Sequence, residues 1–425
     1  MRVLILANDC NPCWPSTPLI GYSLACAVSN FADVLVVTQI RNKPNIDRAG
    51  IGNGRVVYLD TERIAAPLWK LGVRLRGGGD INWGTDILIN YPAYLFFEWC
   101  AWKHLRRDLQ RGEFQVVHRL TPVSTRQAGP VAKNCPVPFL LGPINESLPW
   151  PAMHHNILSQ NERQASRFWN IPKLLPWYRS TLKHSAAILA AFDHTLADLP
   201  EFAQRKAISF PDIGISPNTF TFKKREKNPQ VEILFAGRLI LTKLPEVVVR
   251  AFAASETLRR HKLVIVGEGP ERRKLEALIS NNHLSHCVTL TGHIDQAQLA
   301  RLMRRAEIFA FPSICETGGN VVVEAMACGM VCVVVDYGGP AVLIGEERGV
   351  KVPLGDINYL VDRFRKELED LVADRDRRAD LGMAARRHAL KYYTWEAKAS
   401  KMMEIYKWVG SGRHAKPNYW DQAND

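Results

Sequence analysis

Residues 308–335 read IFAFPSICETGGNVVVEAMACGMVCVVV. Two short apolar runs, Ile308–Phe311 and Val331–Val335, bracket a segment that opens on Thr317-Gly318-Gly319-Asn320. Continuous apolar runs of this length suit strands buried on both faces, as parallel sheets require. The segment between them predicts a helix from about Gly319 to Ala327. Strand, helix and strand in this succession form one parallel crossover unit. The same alternation extends toward the N-terminus. Glu232–Phe235, Leu263–Val266 and Val288–Leu290 read as strands. Helices follow after Pro245, over Pro270–Ser280 and over Asp295–Ala306. Residues 223–230, KKREKNPQ, hold five charges and a Pro and read as a linker.

A second series lies ahead of that linker. Arg2–Ala7, Asp33–Thr38, Val56–Leu59, Phe114–His118 and Val137–Leu141 read as strands. Leu19–Asn30 reads as a helix, and residues 181–191 as a helix running into a strand. Residues 41–55 and Gly77-Gly78-Gly79 read as loops. Residues 87–102, ILINYPAYLFFEWCAW, predict a helix from near Pro92. That helix is either buried on one face or a surface helix that meets a lipid-linked acceptor. The fold class is therefore α/β, with two Rossmann-like, doubly wound parallel sheets facing across a cleft. The expected domains are 1–222 and 223–395, with a C-terminal helix of about 396–425 packing back on the first. The last residues, KPNYWDQAND, read as polar and disordered. Ligands in such sheets bind outside the carboxyl ends of the strands.

The 425 residues carry 55 Lys plus Arg against 42 Asp plus Glu, a net charge of +13. Up to Phe222 there are 23 basic and 16 acidic residues, and beyond it 32 and 26. The excess is thus shared, +7 and +6, whereas a nucleic-acid binder concentrates it. A spread excess suits anionic small molecules or an anionic membrane face. No uncharged apolar stretch of about 18 residues is present, so no membrane span is expected. The opening apolar run is too short for a secretory signal, and nine Cys with no such signal suit a reducing cytoplasm. Cys10-Asn11-Pro12-Cys13 has no second pair at zinc spacing, so no metal site is expected there.

Chemistry concentrates in the second series. Gly237, Arg238 and Lys243 follow a strand end, where a Gly admits close backbone approach and two cations suit phosphate oxygens. Gly267-Glu268-Gly269-Pro270 holds two glycines of a dinucleotide fingerprint but lacks the third. Glu316 and Glu324 stand eight positions apart, which puts both carboxylates on roughly one face. Between them Gly318, Gly319 and Asn320 start the helix, whose free N–H groups and dipole suit a phosphate. Asp374-Arg375-Asp376 reads as a solvated face of a charged helix and not as a metal site.

In these motifs the chain resembles glycosyltransferase family 4, the retaining enzymes of GT-B fold. The resemblance rests on Gly237-Arg238-Leu239 with Lys243, Gly267 to Pro270, and Glu316 with Glu324 and its Ala-Met-Ala-Cys-Gly run. Gly338 to Ala341 and Trp395-Glu396 add to it. The resemblance implies that Arg238 and Lys243 hold a donor diphosphate and that Glu316 contacts the donor sugar. It implies backbone N–H groups of Gly318, Gly319 and Asn320 on sugar and phosphate, Glu324 on the ribose, and Gly237 and Gly267 beside the donor. Leu244, Gly318 and Val342 depart from the family pattern, which bears on donor specificity. In the first domain the resemblance is looser. His118 stands as the active-site histidine, and Thr17, Gly21, Asn145 and Glu146 as acceptor-side residues.

The resemblance further implies a hexose moved from a nucleoside-diphosphate sugar, UDP-glucose by preference, to a glycan or lipid-linked glycan of the cell surface. Two cations and a helix dipole take the place of a metal, so no cofactor is expected. The protein is expected in the cytoplasm, with peripheral contact at the inner face of the plasma membrane. Nucleic acid is not an expected partner. A GT-B nucleotide-sugar epimerase and a non-catalytic nucleotide-sugar-binding protein remain as alternatives.

Overall fold

The computed structural model describes residues 1–75, 83–157, 169–226, 228–411 and 415–420. The Gly77-Gly78-Gly79 loop and the last five residues of the C-terminal segment lie outside these. The chain divides into two compact units. The first comprises Met1–Ser147, Leu158–Asp212 and Trp395–Asp425, and the second Leu148–Ile157 and Ile213–Thr394. The division falls ahead of the charged run at 223–230. The reason is local packing: Gly214 N donates to Asn320 Oδ1 at 3.2 Å, and Phe222 packs on Gly329, both within the second unit. Leu148–Ile157 joins the same unit, where Tyr337 Oη donates to Pro149 O at 2.5 Å and His154 Nε2 bonds Gly355 O at 2.9 Å.

Seven strands build the first sheet: β1 (Arg2–Ala7), β2 (Asp33–Gln39), β3 (Arg55–Leu59), β4 (Val116–Thr121), β5 (Phe139–Ile144), β6 (Ala187–Ala190) and β7 (Ala207–Ser209). Their order is β3-β2-β1-β4-β5-β6-β7, with every pairing parallel. α1 (Thr17–Ser29) follows β1, with α2 (Glu62–Leu75) and α3 (Trp83–Gln110) after β3. The helix read from near Pro92 thus begins earlier, at Trp83, and carries Pro92 inside it. Residues 41–55 contain a short helix, Lys43–Ala49, and not a loop alone. β4 runs on past His118 through Arg119 to Thr121. Two polar side chains in mid-strand disguised it. Arg119 is buried, and its guanidinium donates to Ser124 O at 2.5 Å, to Gln127 O and to Tyr94 Oη at 3.3 Å.

His118, expected as the active-site histidine, is the third residue of β4. It is fully buried. Its Nε2 lies 2.5 Å from Gly142 O, a pure acceptor, so Nε2 carries the proton. Nδ1 then accepts from Tyr406 Oη at 2.7 Å. Tyr406 belongs to the C-terminal helix Trp395–Ser411, which packs on α1. With both nitrogens bonded inside the unit, His118 joins strand to helix.

The second sheet holds β8 (Glu232–Ala236), β9 (Lys262–Val266), β10 (Val288–Gly292), β11 (Ile308–Phe311), β12 (Val331–Val335) and β13 (Gly349–Val352). The order is β10-β9-β8-β11-β12-β13, again all parallel. α4 (Pro245–Ala253) follows β8, and α5 (Asn320–Ala327) follows β11. Glu316 therefore lies in the loop ahead of α5, and only Glu324 is on the helix. That removes the one-face argument for the two carboxylates. The C-terminal carbonyls of α5 and its following turn are held by arginines. Arg225 donates to Gly329 O and Cys328 O at 3.0 Å each and to Met303 O at 3.2 Å. Arg386 donates to Ala327 O.

Two measurements follow. Burial depresses the His118 pKa to about 4 from its usual 6.5. Between those values the unfolded chain binds a proton that the folded chain excludes. This contribution to stability is present above about pH 6.5 and is lost as pH falls toward 4. His118→Asn should therefore lose less of its melting temperature between pH 7 and pH 5 than the wild type does. Arg225→Met should lower unfolding free energy by about 2 kcal/mol or more in denaturant titration, since it strips a charged donor from three carbonyls.

Candidate active site

β8 and β11 are neighbours, yet the chain leaves β8 toward β9 on one side and leaves β11 toward β12 on the other. At such a reversal the carboxyl ends of the two strands are left uncovered by crossovers. The candidate residues gather there. Gly237 N donates to Val266 O at 3.0 Å, and Leu239 N to Glu268 O at 2.8 Å. The loops after β8 and β9 thus lie backbone to backbone. A Cβ at Gly267 would stand 1.9 Å from Gly237 O, and Gly267 has φ 138°. No side chain fits at that position. Arg238, between these contacts, is exposed.

The segment after β8 then makes a tight 3-10 turn, Leu241–Lys243, and reaches Pro245 at the start of α4. Ile314 N donates to Thr242 O at 3.0 Å, which ties this turn to the loop after β11. Lys243 Nζ lies 4.9 Å over the Phe311 ring and forms an ion pair with Glu316. Burial, with the nearby Arg238 charge, lowers the Lys243 pKa to about 7. The pairing with Glu316 supports the charged ammonium against that burial.

The loop carrying Glu316 rests on Gly338 and Gly339. Gly339 N donates to Glu316 O at 2.9 Å, and a Cβ on Gly339 would lie 2.2 Å from Gly318 O. Gly338–Leu343 is a short helix. The motif was visible in the sequence, but its work as a floor under residues 316–318 was not. Gly319 caps α5 with φ 96° and ψ 43°, a left-handed conformation that favours glycine. The N-terminus of α5 follows this cap, and a helix N-terminus attracts anions. Asn320 Nδ2 donates to Glu324 Oε1 at 2.8 Å. Glu324 is buried, and burial pushes its pKa up to about 8 although the Asn320 and Gln296 side chains oppose the shift. Near neutral pH this carboxyl holds its proton.

The structure thus places Gly237, Arg238, Lys243, Glu316, Gly318 and Gly319 in the loops after β8 and β11 of one unit, Asn320 and Glu324 on the α5 helix that follows, and Gly267 in the loop after β9. The residues expected on the acceptor side do not form a comparable group. Gly21 is buried, and a Cβ there would meet Asp9 O, in the loop after β1, at 2.3 Å. Glu146 is buried in an ion pair with Arg126 at 2.7 Å and accepts from Thr125 N at 3.0 Å and Ser124 Oγ at 2.5 Å. These bonds engage both its oxygens. Asn145 donates to Asp212 Oδ1 at 2.9 Å, and Thr17 is half-buried at the start of α1. Among the described residues no cluster of three or more His, Cys, Asp or Glu is placed to hold a metal ion.

Residues 218–388 match the family described as glycosyl transferases group 1. A D-inositol 3-phosphate glycosyltransferase of Jonesia denitrificans is 30% identical over 229 residues, 52% of this chain and 49% of that protein. Its namesake from Corynebacterium jeikeium is 34% identical over 191 residues, 42% of this chain and 44% of that protein. The chain spans about half the length of the curated relatives it matches. Among solved structures, a sucrose-phosphate synthase from Thermosynechococcus elongatus aligns with a TM-score of 0.67 at 18% identity, over 97% of this chain and 100% of that one. The Anabaena protein HepE, solved with UDP-glucose, aligns with a TM-score of 0.56 at 16% identity, over 95% and 99%. At these identities the structures establish the fold. The chain has the GT-B fold, and its second unit carries the segment that matches the group 1 glycosyl transferases.

Proposed function

We propose that the chain is a retaining glycosyltransferase that moves a hexose from a UDP-sugar, UDP-glucose first, to a glycan or lipid-linked glycan acceptor. The observation that carries this reading is the Lys243–Glu316 pair at the β8–β11 strand ends, set just ahead of the α5 N-terminus. Cation, carboxylate and helix start are what a sugar diphosphate needs in one place. The family match over 218–388 and the names of the matched relatives support the same class of reaction.

On this reading the donor separates the ion pair. Lys243 turns to the diphosphate with Arg238, and Glu316 accepts hydrogen bonds from sugar hydroxyls. Protonated Glu324 and Asn320 take the ribose side. As the bond from C1 to the leaving phosphate oxygen breaks, negative charge grows on UDP. Arg238, the α5 N–H groups and Lys243, once it has left Glu316, stabilise that charge. The acceptor hydroxyl attacks from the face that UDP leaves, and a phosphate oxygen takes its proton. No metal is required by this scheme. A lipid-linked acceptor places the enzyme at the inner face of the plasma membrane. No described helix is long and apolar enough to cross one.

Thermal shift without metal, against a panel of nucleotides and nucleotide sugars, tests the donor site. UDP should stabilise the wild type, and Arg238→Ala and Glu316→Ala should weaken or abolish that response. Donor turnover should fall about 100–1000-fold in either variant. Acceptors to assay include D-inositol 3-phosphate, for which the matched relatives are named. No stabilisation by any nucleotide would overturn the proposal. Release of UDP-sugar epimers with no acceptor consumed would replace it by epimerisation. Glu324 gives a second test. Its raised pKa means Glu324→Gln mimics the form present at pH 6.5. UDP affinity at that pH should be near wild type in Glu324→Gln and about tenfold weaker in Glu324→Ala.

A further inference from the structure

The helices α2 and α3 of the first unit pack side by side and expose a face that the transfer chemistry does not use. Trp69 is 54% exposed, Leu71 46%, and Trp99 51%. Large apolar side chains in such number on adjoining helices are a costly surface in water. Their surroundings are basic. On α2, Arg63, Lys70 and Arg74 are exposed and recur at spacings of seven and four, so they share one stripe of the helix. Trp69 and Val73 flank that stripe on one side and Leu71 on the other. Glu62, the one acidic residue of α2, is tied to Arg41 at 2.8 Å.

α3 repeats the pattern. Trp99 stacks on Phe96 with ring centroids 5.7 Å apart, and Lys103 Nζ sits 5.1 Å over the Trp99 ring. Glu98 is buried and faces away from this surface. Arg63 and Lys103 both act on the Cys100 thiol, which burial pushes up. The two packed helices thus each bring basic groups to this surface. A helix that interleaves Trp and Leu with Lys and Arg is suited to lie in the headgroup layer. Its rings enter the acyl boundary while long basic side chains reach the phosphates.

We infer that the exposed α2–α3 face, with Trp69, Leu71 and Trp99 among Arg63, Lys70, Arg74 and Lys103, docks on an anionic lipid bilayer. Charge complementarity selects this occupant, because apolar burial alone would not place four cations around the rings. The inference names where the membrane is met. It rests on the proposed function only for the reason to be there, not for the binding itself.

The test is flotation of the full chain with vesicles of phosphatidylcholine alone and of phosphatidylcholine mixed with phosphatidylglycerol. Wild type should float with the mixed vesicles, less so at high salt, and not with phosphatidylcholine alone. Lys70→Glu with Arg74→Glu should weaken vesicle affinity about tenfold or more, and Trp69→Ser with Trp99→Ser should do the same. Both double variants should keep the wild-type melting temperature and UDP response, which separates docking from folding. Equal flotation on both vesicle types, or unchanged flotation in the variants, would overturn the inference. So would a dimer in sedimentation that the Trp variant abolishes, which would assign the face to a second copy of this chain. Vesicle binding without any UDP response would uphold this surface and sink the transferase reading. The converse result would uphold transfer and sink the surface.

Discussion

A parallel sheet whose strand order reverses beside β8 constrains all of the second unit. Crossovers between parallel strands are right-handed, so helices on the two sides of the reversal pack on opposite faces of the sheet. The chain therefore leaves β8 and β11 toward opposite edges of the sheet, and the carboxyl ends of these two strands form the switch point. Lys243 and Glu316 are distant in sequence and become neighbours only because β8 and β11 pair. The bond from Ile314 N to Thr242 O fixes the two loops against each other. Gly267, from the next strand on, must have no side chain for the arrangement to close.

Burial at this point works on two charges in opposite directions. It lowers Lys243 and raises Glu324, in each case favouring the neutral form. Bringing a diphosphate beside Lys243 would restore the advantage of its proton, so part of the electrostatic cost of the site is deferred until a ligand arrives. Leu244 shows a similar balance in the backbone. It adopts φ 44° and ψ 47°, a left-handed conformation that costs a branched or bulky residue about 1–2 kcal/mol. The side chain is 1% exposed, and burying a Leu is worth about 1.5–3 kcal/mol. Leucine is therefore tolerated at a turn where glycine would relieve strain but leave a cavity.

What the sequence made legible follows from these forces. Ile308–Phe311 and Val331–Val335 were read with the bounds the structure gives, because a strand buried on both faces must be apolar throughout. β13, Gly349–Val352, escaped notice as a short edge strand with Lys351 exposed on it. β4 was cut short at His118 because polar residues in mid-strand look like an ending. Only their partners show otherwise, and Tyr406 lies far along the chain. The setting of Glu146 was hidden for the same reason, since its buried partner Arg126 lies 20 residues away in the chain. The motifs of the strand-end loops in the second unit were legible because they are local in sequence. The partnerships of the first unit, and the recruitment of Leu148–Ile157 to the second, depend on long-range pairing that no motif encodes.

α5 shows how a distant pair of arginines bears on the anion end of the site. The helix has eight residues and is thus only about 12 Å long. In so short a helix the negative pole at the C-terminus lies close enough to offset much of the positive pole at the N-terminus. Arg225 and Arg386 place two guanidinium groups on the C-terminal carbonyls. They satisfy acceptors that would otherwise be orphaned, and they neutralise the pole that would weaken the field at Gly319. Packing at one end of α5 and electrostatics at the other are then one device. The family of hydrogen bonds that stabilises the fold also sharpens the attraction for an anion at the strand ends.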